Sequence, residues 1–191
     1  MLREQAAAGD TEALRAFWAE ELAGTVPPYE LLPRPDDGLS HLRGERLVRR
    51  IDPATTARVA ELAADCGATP FTVYLTVLGM LVAGLTDRRD VVLGAAVADR
   101  AEEGLEAVIG LLVDVVPVRL RLEDGLTLRA AVRHAGAVTV RAMDHRALPG
   151  RERTEVSGID RPPGAVLTPV TLSIQPSEIP LRLEREGWAW T

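Results

Sequence analysis

Apolar positions along the chain change period several times, and each change marks an element. Leu14, Phe17, Trp18 and Leu22 recur at helical spacing. They predict a helix over 11–23, with Asp10 as its N-cap and Gly24 as its stop. Four prolines within 25–38 deny that stretch a helix and make it an extended crossing segment held by Tyr29, Leu31 and Leu32. Residues 43–51 alternate enough to predict a strand. Asp52-Pro53 then supplies an N-cap with proline at the first helical position, and Val59, Leu62, Ala63 and Cys66 share one face of the helix that follows. Gly67 closes that helix, which makes Cys66 a small core residue near its end.

Thr69-Pro70 repeats the capping signal and opens a helix over 71–86 that is hydrophobic nearly all round, as expected of a central helix covered on most sides. Past the turn Asp87-Arg88-Arg89, residues 90–98 run apolar without alternation, the pattern of a strand buried on both faces. A second strand over 111–122 lies between Gly110 and the turn Glu123-Asp124-Gly125, and Thr127 caps a long helix reaching His145. The charged, Gly- and Pro-rich stretch 151–164 predicts a mobile surface loop, and 166–174 and 181–186 two final strands. Helix followed by interior strand gives an α/β class with a mixed sheet covered by helices.

Composition narrows the function more than the fold. The 191 residues suit one domain, and 47% apolar with 26% charged residues is the balance of a globular chain. The net charge of −6, with arginine as every base, argues against a nucleic-acid partner. One cysteine, Cys66, excludes an internal disulfide and any multi-cysteine metal cluster, and fits a reducing, cytoplasmic setting. The N-terminus lacks the apolar run of a signal peptide. Residues 66–86 carry no charge, but Pro70 leaves a helix rising only about 24 Å against a hydrocarbon core of about 30 Å, so no membrane span is expected.

Chemistry-bearing residues are sparse. The three histidines, His41, His134 and His145, are scattered, and the chain contains no HHxxxDG, GxSxG, HExxH, GxGxxG or Walker sequence. No catalytic residue and no metal ligand set is assigned. Asp114 shares a strand face with Leu112, Val116, Val118 and Leu120, where an ionised carboxylate is costly without a partner. It is either a fixed salt bridge or sheet-edge residue, with Pro117 nearby, or a functional carboxylate in a cleft or tunnel. Arg119 and Arg121 fall on the opposite face, as solvent-facing charges near a strand end. On the long helix His134, Arg141 and His145 occupy one angular sector, a basic row that is either solvated or a binding face for a phosphate or acidic partner.

Two blocks carry a resemblance. Val91-Val-Leu-Gly94 through Asp99-Arg100 is similar to the strand pattern VxxGxxxxxR, and Ile109-Gly110 through Val113, Pro117 and Arg119 to IGxFVNTxPxR, both of the condensation domain of nonribosomal peptide synthetases. Trp18 through Leu22 and Gly24 resembles the family's WxxxLxG, and Thr69-Pro70-Phe71 its T-x-F helix start. The chain departs from the family at Asp114 and Val115, where Asn and Thr are usual, and at Leu111 and Leu112, where aromatics are. The segment HQDxPFE is reduced to His145-Arg-Ala-Leu-Pro-Gly150.

The resemblance implies one lobe of a two-lobe fold related to chloramphenicol acetyltransferase. Family members join an acyl group on a carrier protein's phosphopantetheine to an amine, in a tunnel between the lobes. Their HHxxxDG histidine belongs to the first lobe, and the chain resembles most of the second, without the family's last strands and closing helix. Arg100, Asp114, Arg119 and His145 are then candidates for the tunnel or lobe interface, and Arg100 for an ion pair with an acid of the other lobe. His134 and Arg141 are candidates for partner binding. A phosphopantetheine arm is implied as the partner's group, with no cofactor bound by the chain itself. Expected partners are a carrier protein, an HHxxxDG-bearing lobe, or a second copy of the chain. Three readings follow: the acceptor-side lobe of a split condensation enzyme inactive alone, a noncatalytic docking module, and a truncated product.

Overall fold

The computed structural model describes residues 8–28, 31, 44–98, 112–160, 166–175, 184–185 and 188–189. Its elements run α1 (Ala8–Leu22), α2 (Pro53–Asp65), α3 (Pro70–Thr86), β1 (Asp90–Ala98), β2 (Val113–Arg121), α4 (Leu128–Asp144), α5 (Gly150–Val156), β3 (Thr171–Leu172), β4 (Glu184–Arg185) and β5 (Trp188–Ala189).

Local chemistry explains most of the boundaries. The side chains of Asp52, Thr69 and Thr127 each accept the backbone N–H three residues on, and Pro53 and Pro70 begin their helices where no N–H is needed. Gly24 and Gly67 take left-handed φ values of 68° and 64° just beyond α1 and α2. Helix α1 already includes Ala8, so Asp10 lies inside its first turn rather than at the N-cap. A carboxylate there favours the helix dipole without being the boundary.

Three strands form a mixed sheet in the order β2-β1-β3. Strand β1 pairs antiparallel with β2 along its whole length, from Asp90↔Arg121 to Ala98↔Val113, and parallel with β3 at Gly94↔Thr171. As the central strand, β1 is buried on both faces over Val91–Ala95, which accounts for its unbroken apolar run. The core joins Trp18 and Leu22 of α1, Leu75 and Val82 of α3, Leu93 of β1, Val118 and Leu120 of β2, and Ala135 of α4. At Gly79 a Cβ would stand 2.5 Å from Leu120 Cδ1, so glycine lets α3 approach the sheet closely.

Four expectations are corrected. Residues 44–52 form no strand: Leu47, Val48 and Ile51 are exposed, and the segment has no ladder partner among the described residues. Helix α3 meets α2, α4 and β1, yet Val77, Met80, Leu81 and Leu85 form an exposed stripe, so its apolar circumference is not covered all round. The stretch read as a mobile loop contains α5, whose Arg153 is fully buried. Strand pairing within 166–174 is confined to Thr171–Leu172, just beyond Pro169, which lacks a donor for a ladder. Among the described residues no single helix is long and apolar enough to cross a membrane, and α2 and α3, which together would be, meet at 101°.

Candidate functional site

The two sheet faces follow from the β1–β2 register. Val92, Gly94 and Ala96 share one face with Arg119, Pro117 and Val115, whereas Val91, Leu93 and Val97 share the other with Leu120, Val118 and Asp114. Asp114 therefore sits near the start of β2, at the edge of the sheet, on the face whose next positions are core.

Arg153 resolves the cost of that carboxylate. Its Nη2 donates to Asp114 Oδ1 at 2.5 Å and Oδ2 at 2.6 Å, and to the Val115 carbonyl at 3.3 Å. Nη1 donates to the carbonyls of Arg146 and Leu148 at 2.9 and 2.7 Å. The guanidinium lies 5.5 Å from the Trp18 ring centroid, and only Nε lacks a partner. Asp114 Oδ1 accepts a further hydrogen bond from the Val115 N–H at 2.8 Å. Arg153 is 1% exposed along its side chain and Asp114 31%, so the cation is sealed and the carboxylate keeps one open side.

That open side faces a cavity of about 370 Å³ lined by Asp114, Val115, Pro117, Gly150, Arg153, Thr154, Val166, Leu167, Thr168 and Thr171. Its floor depends on two glycines. A Cβ on Gly94 would stand 2.5 Å from Thr171 Oγ1, 2.6 Å from Val115 Cγ1 and 2.8 Å from Thr168 Oγ1. On Gly150 it would meet Arg153 Nη2 at 3.4 Å and Asp114 Oδ1 at 3.5 Å. Gly94 thus lets the 168–171 segment close on β1, and Gly150 leaves the Asp114 carboxylate uncovered.

Arg119 is buried and fully engaged, not the solvent-facing charge its strand position suggested. Nε and Nη2 grip the Asp90 carboxylate, while Nη1 donates to the Glu21 and Ala23 carbonyls at 2.8 and 3.1 Å. Its hydrogen bond to Asp90 raises its pKa further against the opposing effect of burial. A cation on the last carbonyls of α1 also complements the helix dipole. Arg119 is thereby a clamp between β2 and α1.

The basic row of α4 divides among separate roles. Arg141 pairs with Glu21 at 2.9 Å. His145 stacks on Phe17 with ring centroids 3.6 Å apart, and its Nδ1–H donates to the Arg141 carbonyl at 2.8 Å. Its own carbonyl accepts Trp18 Nε1–H at 2.9 Å, so His145 joins α1 to the end of α4. Nε2 of His134 is buried without a hydrogen-bond partner. Arg100 and His41 lie outside the described residues. Asp114 and the 149–154 segment are thus brought together, whereas His145, Arg119, His134 and Arg141 are spread over other contacts.

Sequence reasoning missed Arg153. The signal that could have found it was Asp114 itself, since a carboxylate on a core-facing strand position demands a counter-ion.

Among the described residues no imidazole hydrogen-bonds to the Asp114 carboxylate, and no cluster of three His, Cys, Asp or Glu side chains could hold a metal.

Residues 2–169 match the family model of the condensation domain. The chain belongs to the condensation-domain family of nonribosomal peptide synthetases, and its mixed α/β architecture is that of the family. It is 32% identical over 198 aligned residues to phosphinothricin tripeptide synthetase PhsB of Streptomyces viridochromogenes, across 97% of this chain and 17% of that protein. Among solved structures it is similar to the X-domain from teicoplanin biosynthesis, with a TM-score of 0.69 and 26% identity over 83% of this chain and 35% of the other. It is also similar to the condensation domain from the monacolin K polyketide synthase MokA, with a TM-score of 0.67 and 24% identity over 81% of this chain and 38% of the other. The chain therefore spans less than a fifth of PhsB and little more than a third of each of these solved chains.

Proposed function

We propose that the chain supplies the acceptor-side lobe of a condensation domain and takes part in amide-bond formation between carrier-bound substrates when combined with a lobe bearing HHxxxDG. The observation that carries this reading is the match over residues 2–169 to a family whose histidine motif has no counterpart in this sequence. Attack of an amine on a thioester needs a group that orients or deprotonates the amine, and the cavity beside Asp114 offers a carboxylate already held by Arg153. The lobe shapes the acceptor side and contributes no general base. Coverage of 36% to 38% of solved condensation domains supports the extent of one lobe.

In this reading Arg100 faces the lobe interface and pairs with an acid of the other lobe, and the acyl group arrives on the phosphopantetheine arm of a carrier protein. The test is assembly. Mixed with a separately expressed HHxxxDG lobe, the chain is expected to form a one-to-one complex in sedimentation, weakened by Arg100→Glu. An unchanged sedimentation profile at every ratio would contradict the reading.

A second reading, a noncatalytic docking module, is favoured by the likeness to the X-domain. That domain has been solved as a complex with OxyB, and the chain superposes on it with a TM-score of 0.72 at 24% identity. Carrier or enzyme binding without product in any combination would select this reading.

A further inference from the structure

We infer that the exposed face of α3 is a self-association surface, on which a second copy of the chain packs its own α3 antiparallel about a two-fold axis at Leu81. This goes beyond the reading above and does not rest on it, because no HHxxxDG lobe takes part.

Helix α3 packs on α2, α4 and β1, and beyond Pro70 at its start it leaves Val77, Met80, Leu81, Gly84 and Leu85 exposed. These positions recur at i, i+3, i+4, i+7 and i+8, the spacing of a seam between helices. No charged side chain occurs between Cys66 and Thr86, so the seam sets no like charges against a copy of itself. Scattered exposed apolar residues need no explanation, but a contiguous row on one helix face marks an interaction site.

Shape selects a second copy as the occupant. The row is centred on Leu81, so a two-fold axis there sets Val77 level with Leu85 of the other copy and Met80 beside its Gly84. At Gly84 a Cβ would meet nothing within 4 Å. Next to that open space lies a cavity of about 220 Å³ with Ala83, Leu122 and Leu126 among its apolar walls. Met80, 44% exposed, is the long, adaptable side chain that fills it from the second copy. One face thus carries both the knob and its hole, which an isologous pair uses twice.

Charge fixes the direction. Asp87, Arg89, Glu123 and Asp124 all lie toward the C-terminal end of α3, where Arg89 and Asp124 pair at 2.7 Å. Parallel packing would crowd the acids of both copies beside two like ends of the helix dipole, whereas antiparallel packing sends them to opposite ends of the interface. The row is smaller than the roughly 800 Å² per partner of a standard interface, so the dimer is a weak one.

The test is sedimentation equilibrium of the chain across tens to hundreds of micromolar. A reversible monomer–dimer equilibrium is expected, weakened about ten-fold or more by Leu81→Glu and by Gly84→Leu. Leu47→Glu, which alters a more exposed apolar residue off the helix, is expected to leave it unchanged. Gly84→Leu replaces a helical glycine, so the monomer's stability is expected to hold or rise while association falls, which separates a blocked interface from a damaged fold. In a Cys66→Ser background, Leu81→Cys is expected to form a disulfide with itself across the axis on mild oxidation. A chain that stays monomeric, a dimer that Leu81→Glu leaves intact, equal weakening by Leu47→Glu, or a dimer in which Leu81→Cys does not cross-link would overturn the inference. So would a monomeric chain in which Leu81→Glu weakens only assembly with an HHxxxDG lobe, a result that gives the face to that lobe and leaves the proposed function standing.

Discussion

Arg153 of α5, fully buried, closes on the half-open carboxylate of Asp114 across 39 residues of sequence and fixes the short helix to the edge of β2. This contact converts a charged, Gly-flanked stretch into ordered structure and forms one side of the cavity. Removing Asp114 leaves Arg153 buried without its counter-charge, and removing Arg153 strips a partly open carboxylate of its partner and the Arg146 and Leu148 carbonyls of their donor. Asp114→Asn and Arg153→Met are each expected to cost about 3 kcal/mol in urea unfolding, with strong non-additivity in the double variant. Additive, small effects would show that the pair does not hold α5.

Arg119 makes a separate prediction. It ties β2 to the last carbonyls of α1 and to Asp90, whereas Arg121 on the same strand is exposed. Arg119→Met is expected to destabilise the chain by about 3 kcal/mol and to speed amide exchange at the C-terminal turn of α1, while Arg121→Ala stays within about 0.5 kcal/mol. Matching effects of the two substitutions would contradict the clamp.

Gly94 and Gly79 are both overfilled by an added methyl, but differently. At Gly94 the atoms struck are side-chain atoms of Thr168, Thr171 and Val115 together, so three β-branched side chains must shift at once; at Gly79 the closest atom is the end of Leu120, which can rotate. Gly94→Ala is expected to cost about 2 kcal/mol and to release the Gly94 N–H from the Val170 carbonyl, seen as faster exchange. Gly79→Ala is expected to cost less, because helix propensity favours alanine.

Acid should loosen the start of α2. The Thr55 N–H and hydroxyl hold the Asp52 carboxyl below its ordinary value. A lowered folded-state pKa means that the cap's contribution is complete above the unfolded value and is lost as pH falls through the folded one. Amide exchange at Thr55 and Thr56 is expected to rise over that acidic range in the native chain and to be pH-independent in this respect in Asp52→Asn.

Much of this architecture is legible in the sequence for physical reasons. The Asp52-Pro53 and Thr69-Pro70 pairs each combine a side-chain acceptor with a residue lacking N–H, which leaves little choice but a helix start. The run 90–98 reads correctly because a central strand has two buried faces. The failures share a cause: 44–52 alternates like a strand but has no ladder partner among the described residues, and α5 looks like a loop because what holds it is long-range, the Arg153–Asp114 and Arg15–Glu152 ion pairs and packing against α1. The same holds at the cavity. Asp114 could be singled out from its strand face, but Arg153, Gly150 and Thr168 meet it only through tertiary placement. Periodicity does not encode such meetings.

The proposed lobe shapes a condensation site and takes its base from an HHxxxDG partner. The most direct test is a single-turnover amide-forming assay with loaded donor and acceptor carrier proteins, run on the chain alone and again with an HHxxxDG lobe. Product in the mixture only is the expected result. Product from the chain alone, or none in the mixture despite assembly, would contradict it.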